Sequence, residues 1–291
     1  MLKLVLPKGT LEPATLKLFE AADLAVTRSS EVDYKATIDD PRIAEVRILR
    51  PQEIPIYLAE GMFDLGVTGR DWIEEQQADV VSLGELHYSK ATSRPVRLVL
   101  AVAESSHVES VSDLKDGVRV STEYPGLTRR FFERHGIQAE VTVSYGATEA
   151  KIPDIADVVV DATETGRALR QARLRIIDTI ISSYTELVAN RDAYGDPEKR
   201  HAMHQIHTLL QGTLEARGKV LVKLNVDEAN LAGVIDLLPA MKAPTVSKLF
   251  EVDAYAVETV VPKVVVNTLI PALKDQGATD IIEIPLAKIV H

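Results

Sequence analysis

From its first residue to about Ala189 the chain alternates apolar strand-like runs with amphipathic helix-like runs, which predicts layered α/β architecture on mostly parallel sheets. Leu2 to Leu6 reads as a strand, and Leu11 to Ala22 as a helix with Thr10 as its natural cap. Ile48-Leu49-Arg50 runs into Pro51, Ile54 to Ala59 has helical spacing until Gly61, Phe63 to Thr68 reads as a strand, and another helix begins near Asp71. The polar segment Tyr88 to Pro95 breaks this rhythm and marks a crossover to a second domain. Beyond it, Arg97 to Ala103, Val118 to Thr122, Val141 to Tyr145, Asp157 to Val160 and Ile176 to Ile180 read as strands. Helices are expected at Ser112 to Lys115, Gly126 to His135 and Gly166 to Ala172, with Gly136 placed to end the middle one in a left-handed turn. Tyr184 to Ala189 would return the chain to the first domain, leaving two α/β lobes with a cleft between them.

The rhythm changes after that point. Pro197 to Ala216 is one long helical pattern with Asp196 as cap and Pro197 in the first position. After Gly218 the order is strand (Val220 to Val226), helix (Leu231 to Leu238), strand pair (Val246 to Val261), helix (Val264 to Lys274) and strand (Asp280 to Ile284). That is a βαββαβ unit of about 75 residues, enough for a separate small domain.

Composition bounds the chemistry. The 291 residues include no cysteine, which excludes disulfides, thiolate metal sites and a cysteine nucleophile. The net charge is −10 with no long basic run, which argues against nucleic acid and anionic membranes as partners. No stretch approaches the roughly 18 apolar residues of a membrane span, and the start lacks the pattern of a signal peptide, so a cytoplasmic location is expected. A small polyanionic substrate then requires basic groups to converge in the fold, with Lys8, Arg28, Arg50, Arg70, Arg129, Arg130 and Arg167 as candidates.

The string ADVVVDATETGRALR, Ala156 to Arg170, supplies a reason for such convergence. Its valines form a rigid strand, Asp161 at the strand end can accept hydrogen bonds from ribose hydroxyls, and Thr163, Thr165 and the amides around Gly166 would face a phosphate at a helix N-terminus. An ordinary strand-to-helix connection is the competing reading. Other signals fail: Lys8-Gly9-Thr10 lacks the glycine of a P-loop, and Gly61, Gly66 and Gly69 lack dinucleotide-binding spacing. His201, His204 and His207 recur every three residues without an acidic partner, which fits a structural or surface role. LPKGTL and FDLGVTGRD each place a glycine turn and a basic residue at a strand end, where open α/β sheets bind ligands.

Together with LRPQEIPIYLAEGMFDLGVTGRDWI (Leu49 to Ile73), VRVSTEYPGLTRRFFERHGI (Val118 to Ile137), YGATEAKIPDIADVVVDATETGRALR (Tyr145 to Arg170) and LLPAMKAPTVSKL (Leu237 to Leu249), these strings give a resemblance over nearly the whole chain. The chain resembles ATP phosphoribosyltransferase of the long, three-domain, histidine-regulated form. The resemblance implies two catalytic lobes like those of type II periplasmic binding proteins, followed by a ferredoxin-like regulatory domain. Lobe I would comprise residues 1–93 with 182–215, lobe II residues 94–181, and the regulatory domain residues 216–291. It implies transfer of the phosphoribosyl group of phosphoribosyl pyrophosphate (PRPP) to N1 of ATP, with Mg2+ held mostly through substrate phosphates, in a homo-oligomer between dimer and hexamer. Asp161, Thr163, Glu164, Thr165, Gly166, Arg167, Ala168 and Leu169 would hold PRPP, with this chain departing from the family pattern at Glu164 and Ala168. Lys8 and Arg50 would act electrostatically in catalysis, while Gly9, Gly69, Tyr124, Arg129 and Glu149 would bind ATP or line the shared cleft. Asn225, Thr245 and Ala278 match the positions of an L-histidine inhibitor pocket. A solute-binding protein, a catalytically weak regulatory subunit and a different phosphoribosyltransferase are the alternatives.

Overall fold

The structure, a computed structural model, describes residues 1–30, 32–88, 94–239 and 243–291. The middle of the crossover segment Tyr88 to Pro95, the expected lobe boundary at 93/94, and Ala240 to Lys242 of the LLPAMKAPTVSKL string lie outside the described residues. The chain divides into two compact units, Met1–His207 and Thr208–His291.

The first unit holds two sheets. The chain runs β1 (Leu2–Pro7), α1 (Glu12–Ala21), β2 (Val26–Thr27), β3 (Lys35–Ile38), β4 (Ile43–Leu49), α2 (Ile54–Ala59), β5 (Leu65–Gly69), α3 (Arg70–Gln76) and β6 (Val80–Leu86). It continues through β7 (Val96–Ala103), β8 (Arg119–Thr122), α4 (Pro125–Arg134), β9 (Glu140–Val143), β10 (Val158–Thr163), α5 (Arg167–Gln171), β11 (Leu174–Ser183), β12 (Thr185–Asn190) and α6 (Arg191–Gly195). A long helix, α7 (Pro197–Ala216), follows, and Asp196 caps it by accepting the Glu198 N–H at 2.8 Å.

Strand order shows how the lobes are made. The first sheet is ordered β2-β3-β4-β1-β5-β12-β6 and the second β11-β7-β10-β8-β9. In the first, β1 is parallel to β4 and β5, while β12 is antiparallel to both of its neighbours. In the second, β8 is parallel to β9 and β10, while β7 is antiparallel to β10 and β11. The two sheets therefore share one plan, three parallel strands and then an antiparallel strand inserted before the last. Each inserted strand is the first one the chain forms on leaving the other sheet. This reciprocal exchange is the two-lobed plan that the sequence resemblance implies.

Burial explains why these strands form. Val158, Val159 and Val160 of β10 are 0% exposed, and all six residues of β12 are buried, as expected of strands covered on both faces. Strands β2, β3 and β6 and most of β4 are absent from the sequence reading. In β4 the buried Ile43, Val46 and Ile48 are interleaved with Glu45 and Arg47, which dilutes the apolar signal. Thr10 does not cap α1: Leu11 holds the cap position without a side-chain bond, and the Glu12 carboxylate accepts the Gly9 N–H at 3.3 Å. Gly136 does end α4 with a φ of +70°.

The second unit contains β13 (Lys219–Asp227), α8 (Leu231–Leu237), β14 (Thr245–Lys248), β15 (Ala254–Pro262), α9 (Val266–Asp275) and β16 (Thr279–Pro285). Its sheet is antiparallel throughout, in the order β14-β15-β13-β16, which is the ferredoxin-like arrangement. Alternate residues Val220, Val222, Leu224 and Val226 of β13 pack with Val257 and Val261 against Val234, Leu269 and Leu273 of the helices. Among the described residues, no helix is long and apolar enough to cross a membrane.

Candidate active site

Parallel pairing gathers the first set of candidate residues. Pro7 lies opposite Leu49, and Val5 opposite Gly66, so the residues after β1 and β4 and the end of β5 emerge at one sheet edge. Lys8, Gly9, Arg50 and Gly69 all stand there. The Lys8 N–H donates to the Leu49 carbonyl at 2.6 Å, and its Nζ lies 3.8 Å from the centroid of the Tyr34 ring. Gly9 turns the chain with a φ of +93°. Arg50 is exposed. Among the described residues Lys8, Arg50 and Arg167 have no carboxylate within ion-pair distance, whereas Arg28 pairs with Glu12 at 2.7 Å. Arg70 forms a bidentate pair with Glu186, a β12 carboxylate 2% exposed, through bonds of 2.7 and 2.9 Å. Among the described residues Arg129 and Arg130 likewise bond only backbone carbonyls, so five of the seven cations are free of a carboxylate, and Arg70 is committed to holding α3 against the sheet.

The second set lies at the C-terminal end of β10, between β7 and β8. Asp161 is half-buried and accepts the Ala162 N–H at 2.8 Å. Burial pushes its carboxyl up to about 6; the Ala162 bond opposes the rise, and the nearby Glu149 and Glu123 carboxylates add to it. Next, Thr163 Oγ1 accepts the Gly166 N–H at 2.8 Å, and Gly166 takes a φ of +71°. The Gly166 amide is thus satisfied within the turn, contrary to the expectation that it is open to a ligand. The N–H groups of Arg167, Ala168 and Leu169, at the start of α5, have no protein acceptor among the described residues. Leu169 is 1% exposed and packs with Val99, Ala101, Val159 and Leu174, anchoring α5 to the sheet. Thr165, Arg167 and Ala168 are exposed, and Glu164 is half-buried. Glu149 stands half-buried in the turn Thr148–Lys151 after β9, near enough for its charge to raise the Asp161 carboxyl.

Tyr124 and the start of α4 form the join between the two sheets' layers. The Tyr124 hydroxyl donates to Asp71 Oδ2 at 2.7 Å, and its ring stacks on Trp72 with centroids 4.1 Å apart. Ser183, where β11 ends, donates to the other Asp71 oxygen at 2.7 Å. Burial and the Asp71 charge hold the Tyr124 phenol well above its usual range, so it stays protonated. Gly69 has no room for a side chain, because a Cβ would sit 2.1 Å from Asp71 Oδ1. Arg129 is exposed and reaches only the Val141 carbonyl at 3.5 Å. Asp71, Glu75, Ser183 and Glu186 are not among the site candidates of the sequence reading; the Asp71/Glu75 spacing of one helical turn is the signal that marks the first two.

In the second unit Asn225 lies opposite Ala256 and Thr245 opposite Glu258. Ala256 and Glu258 are two residues apart on β15, so all four side chains share the sheet face opposite the helices. Asn225 Nδ2 donates to Asp280 at 3.0 Å. Ala278 is 4% exposed and belongs to the core, one residue before the Thr279 that pairs with Asn225. Among the described residues no three His, Cys, Asp or Glu side chains gather as a metal site, and His201 and His204 instead contact Gln205 and Tyr194, each at 3.1 Å.

The family described as HisG: ATP phosphoribosyltransferase matches residues 50–212, and HisG, C-terminal domain matches residues 216–288. Over 289 residues the chain is 46% identical to an ATP phosphoribosyltransferase of Pelotomaculum thermopropionicum, covering 99% of both chains. It is 47% identical over 291 residues to one from Desulforudis audaxviator, again covering 99% of each. Among solved structures, a chain of the ATP phosphoribosyl transferase (HisG:HisZ) complex from Thermotoga maritima superposes with a TM-score of 0.63 at 27% identity, over 74% of this chain and 99% of that one. Family matches over residues 50–212 and 216–288 and likeness along the full length lead to one conclusion: the chain belongs to the ATP phosphoribosyltransferase family.

Proposed function

We propose that this chain joins N1 of the adenine of ATP to C1 of the ribose of PRPP, releasing pyrophosphate, as the first step of histidine biosynthesis. Adenine N1 carries an unprotonated lone pair near neutral pH, so the reaction requires no serine triad and no strong general base. It requires a held ribose phosphate, stabilisation of the leaving pyrophosphate and alignment of two substrates. The observation that carries the reading is the turn from Asp161 to Leu169, which offers a half-buried carboxyl and three unpaired N–H groups after the buried valines Val158 to Val160. Asp161 would accept the ribose hydroxyls, and Thr163, Thr165 and the first amides of α5 would take the 5-phosphate. Glu164, Gly166, Arg167 and Ala168 complete the turn, with Leu169 fixing it from below. Lys8 and Arg50 would face the pyrophosphate from the other rim, and Gly9, Gly69, Arg129 and Glu149 would border ATP.

A divalent cation, which we take to be Mg2+, would be carried mainly by the substrate phosphates, with Asp161 and Glu149 as the nearest candidate carboxylates. When bound, it would neutralise charge on the departing pyrophosphate. We assign lobe I to residues 1–93 with 182–215, lobe II to 94–181 and regulation to 216–291. Within the last, Asn225, Thr245 and Ala278 would take L-histidine between copies of a cytoplasmic homo-oligomer. Product absorbance with ATP, PRPP and Mg2+, followed with and without histidine, tests the reading. Turnover that histidine suppresses is expected, and so is loss of that suppression in a chain ending at Ala216. Absence of turnover would overturn the reaction, and an active truncated chain of unchanged histidine sensitivity would overturn the role of the tail.

A further inference from the structure

The N-terminus of α4 is already occupied by a carboxylate from another element. Glu75 on α3 accepts the N–H of Gly126 through Oε1 and that of Leu127 through Oε2, both at 2.7 Å. Two charge-assisted bonds at the positive end of a ten-residue helix make a strong, directional contact. Asp71 lies one turn earlier on the same face of α3 and takes the Tyr124 hydroxyl at 2.7 Å, with Trp72 stacked on that ring. Arg130, one turn into α4, donates back to the Glu74 carbonyl at 2.5 Å. α3 follows β5 of the first sheet and α4 follows β8 of the second, so every one of these contacts ties one lobe to the other.

Gly126 shows how close this approach is. A Cβ there would lie 3.0 Å from the Glu75 carbonyl oxygen and 3.0 Å from its Oε1. No positive φ requires glycine at this position; proximity of α3 does.

We propose that Glu75 is a positioning residue for phosphoribosyl transfer: its carboxylate clasps the first turn of α4 and sets the angle at which the rim bearing Lys8 and Arg50 meets the turn bearing Asp161. The proposal rests on the reading that the two substrates react between these rims. Glu75 touches neither substrate. It acts through Gly126 and Leu127, and a shift of about 1 Å in such an alignment is enough to lower a rate on the order of a hundredfold.

The test uses the full-length chain and three variants, Glu75→Ala, Glu75→Gln and Gly126→Ala. Each is measured for kcat, KM for PRPP, thermal midpoint, and hydrogen exchange at the Gly126 and Leu127 amides without substrate. In Glu75→Ala, exchange at both amides should rise, kcat should fall about tenfold or more, and KM for PRPP should change less than kcat, because the turn that takes its 5-phosphate belongs to one lobe and only its pyrophosphate reaches the other rim. Glu75→Gln, which keeps one acceptor oxygen, should fall between. Gly126→Ala introduces a better helix former into α4 yet should lose kcat as Glu75→Ala does. Should Glu75→Ala fail to fold, the other two variants decide. An unchanged kcat in all folded variants would overturn the proposal. So would recovery of Glu75→Ala by added acetate, which can fill the helix end and cannot tether it. Wild-type protein inactive on ATP and PRPP would overturn the proposed reaction instead, and the exchange measurement would still judge the clasp.

Discussion

Replacing Asp161 by Asn should stabilise the protein above pH 6 while abolishing its use of PRPP. Burial holds the native carboxyl at about 6 against an ordinary 3.8, so the folded chain keeps a proton that the unfolded chain releases. Between those two values the native state binds more protons. Stability therefore falls as pH rises through that window and levels off above about 6. From pH 4.5 to pH 7.5 the loss integrates to about 2 kcal/mol, an upper figure because a half-buried carboxyl keeps some contact with water. Asn has nearly the same shape, can still accept the Ala162 N–H and does not ionise. The difference in thermal midpoint between Asp161→Asn and wild type should grow in favour of the variant by roughly 4–8 °C between those two pH values. Scanning calorimetry of both proteins across the range reads it directly. Parallel curves would refute the reasoning, because a pH-independent gain would come from something other than the ionisation. The same logic predicts that PRPP and its cation, by restoring partners to the ionised carboxylate, bind more tightly as pH rises through 6 in wild type and not in the variant. A residue that destabilises the empty protein and is satisfied by its ligand is a common trade at sites of this kind.

Two further changes probe the neighbouring rim. Gly69→Ala would force a Cβ to within 2.1 Å of Asp71 Oδ1 and displace the carboxylate that Ser183 and Tyr124 share. Urea unfolding should show a loss of about 2–4 kcal/mol; a change under about 0.5 kcal/mol would mean that the contact is not needed. Arg50→Ala should lower kcat/KM on the order of a hundredfold with no change in thermal midpoint, since an exposed cation contributes to the reaction and not to the fold. Full turnover with unaltered affinity for both substrates would remove Arg50 from the site.

The features that the sequence disclosed are those made by consecutive residues. Val158 to Val160 stand out because a strand covered on both faces must be apolar without alternation, and the turn from Asp161 to Leu169 follows directly in the chain. In β13 the opposite pattern, valine or leucine at every second position, is as easily read because one face is covered by helices. Where neighbours in space are distant in sequence, the signal thins. Thr10 carries the right side chain for a cap, yet the turn at Gly9 brings the Glu12 carboxylate to the amide instead.

The same distinction runs through the site itself. Lys8, Arg50 and Gly69 lie up to 61 positions apart, and nothing local unites them. Their convergence follows only once β1, β4 and β5 are known to be parallel, because parallel strands deliver all their C-terminal ends to one edge. Asp71, Trp72 and Glu75 are harder still. Helical periodicity reports that one face of α3 is covered, but it cannot say by what, and the covering residues are Tyr124, Gly126 and Leu127 of the other lobe. A carboxylate on such a face reads as a solvated charge until a helix N-terminus is found opposite it. In the proposed reaction, phosphate holding would thus be written locally, in one turn, whereas the alignment of two substrates would depend on contacts that exist only after both sheets have formed. For that reason substitutions at the turn should appear first in KM for PRPP, and substitutions on the α3 face should appear first in kcat.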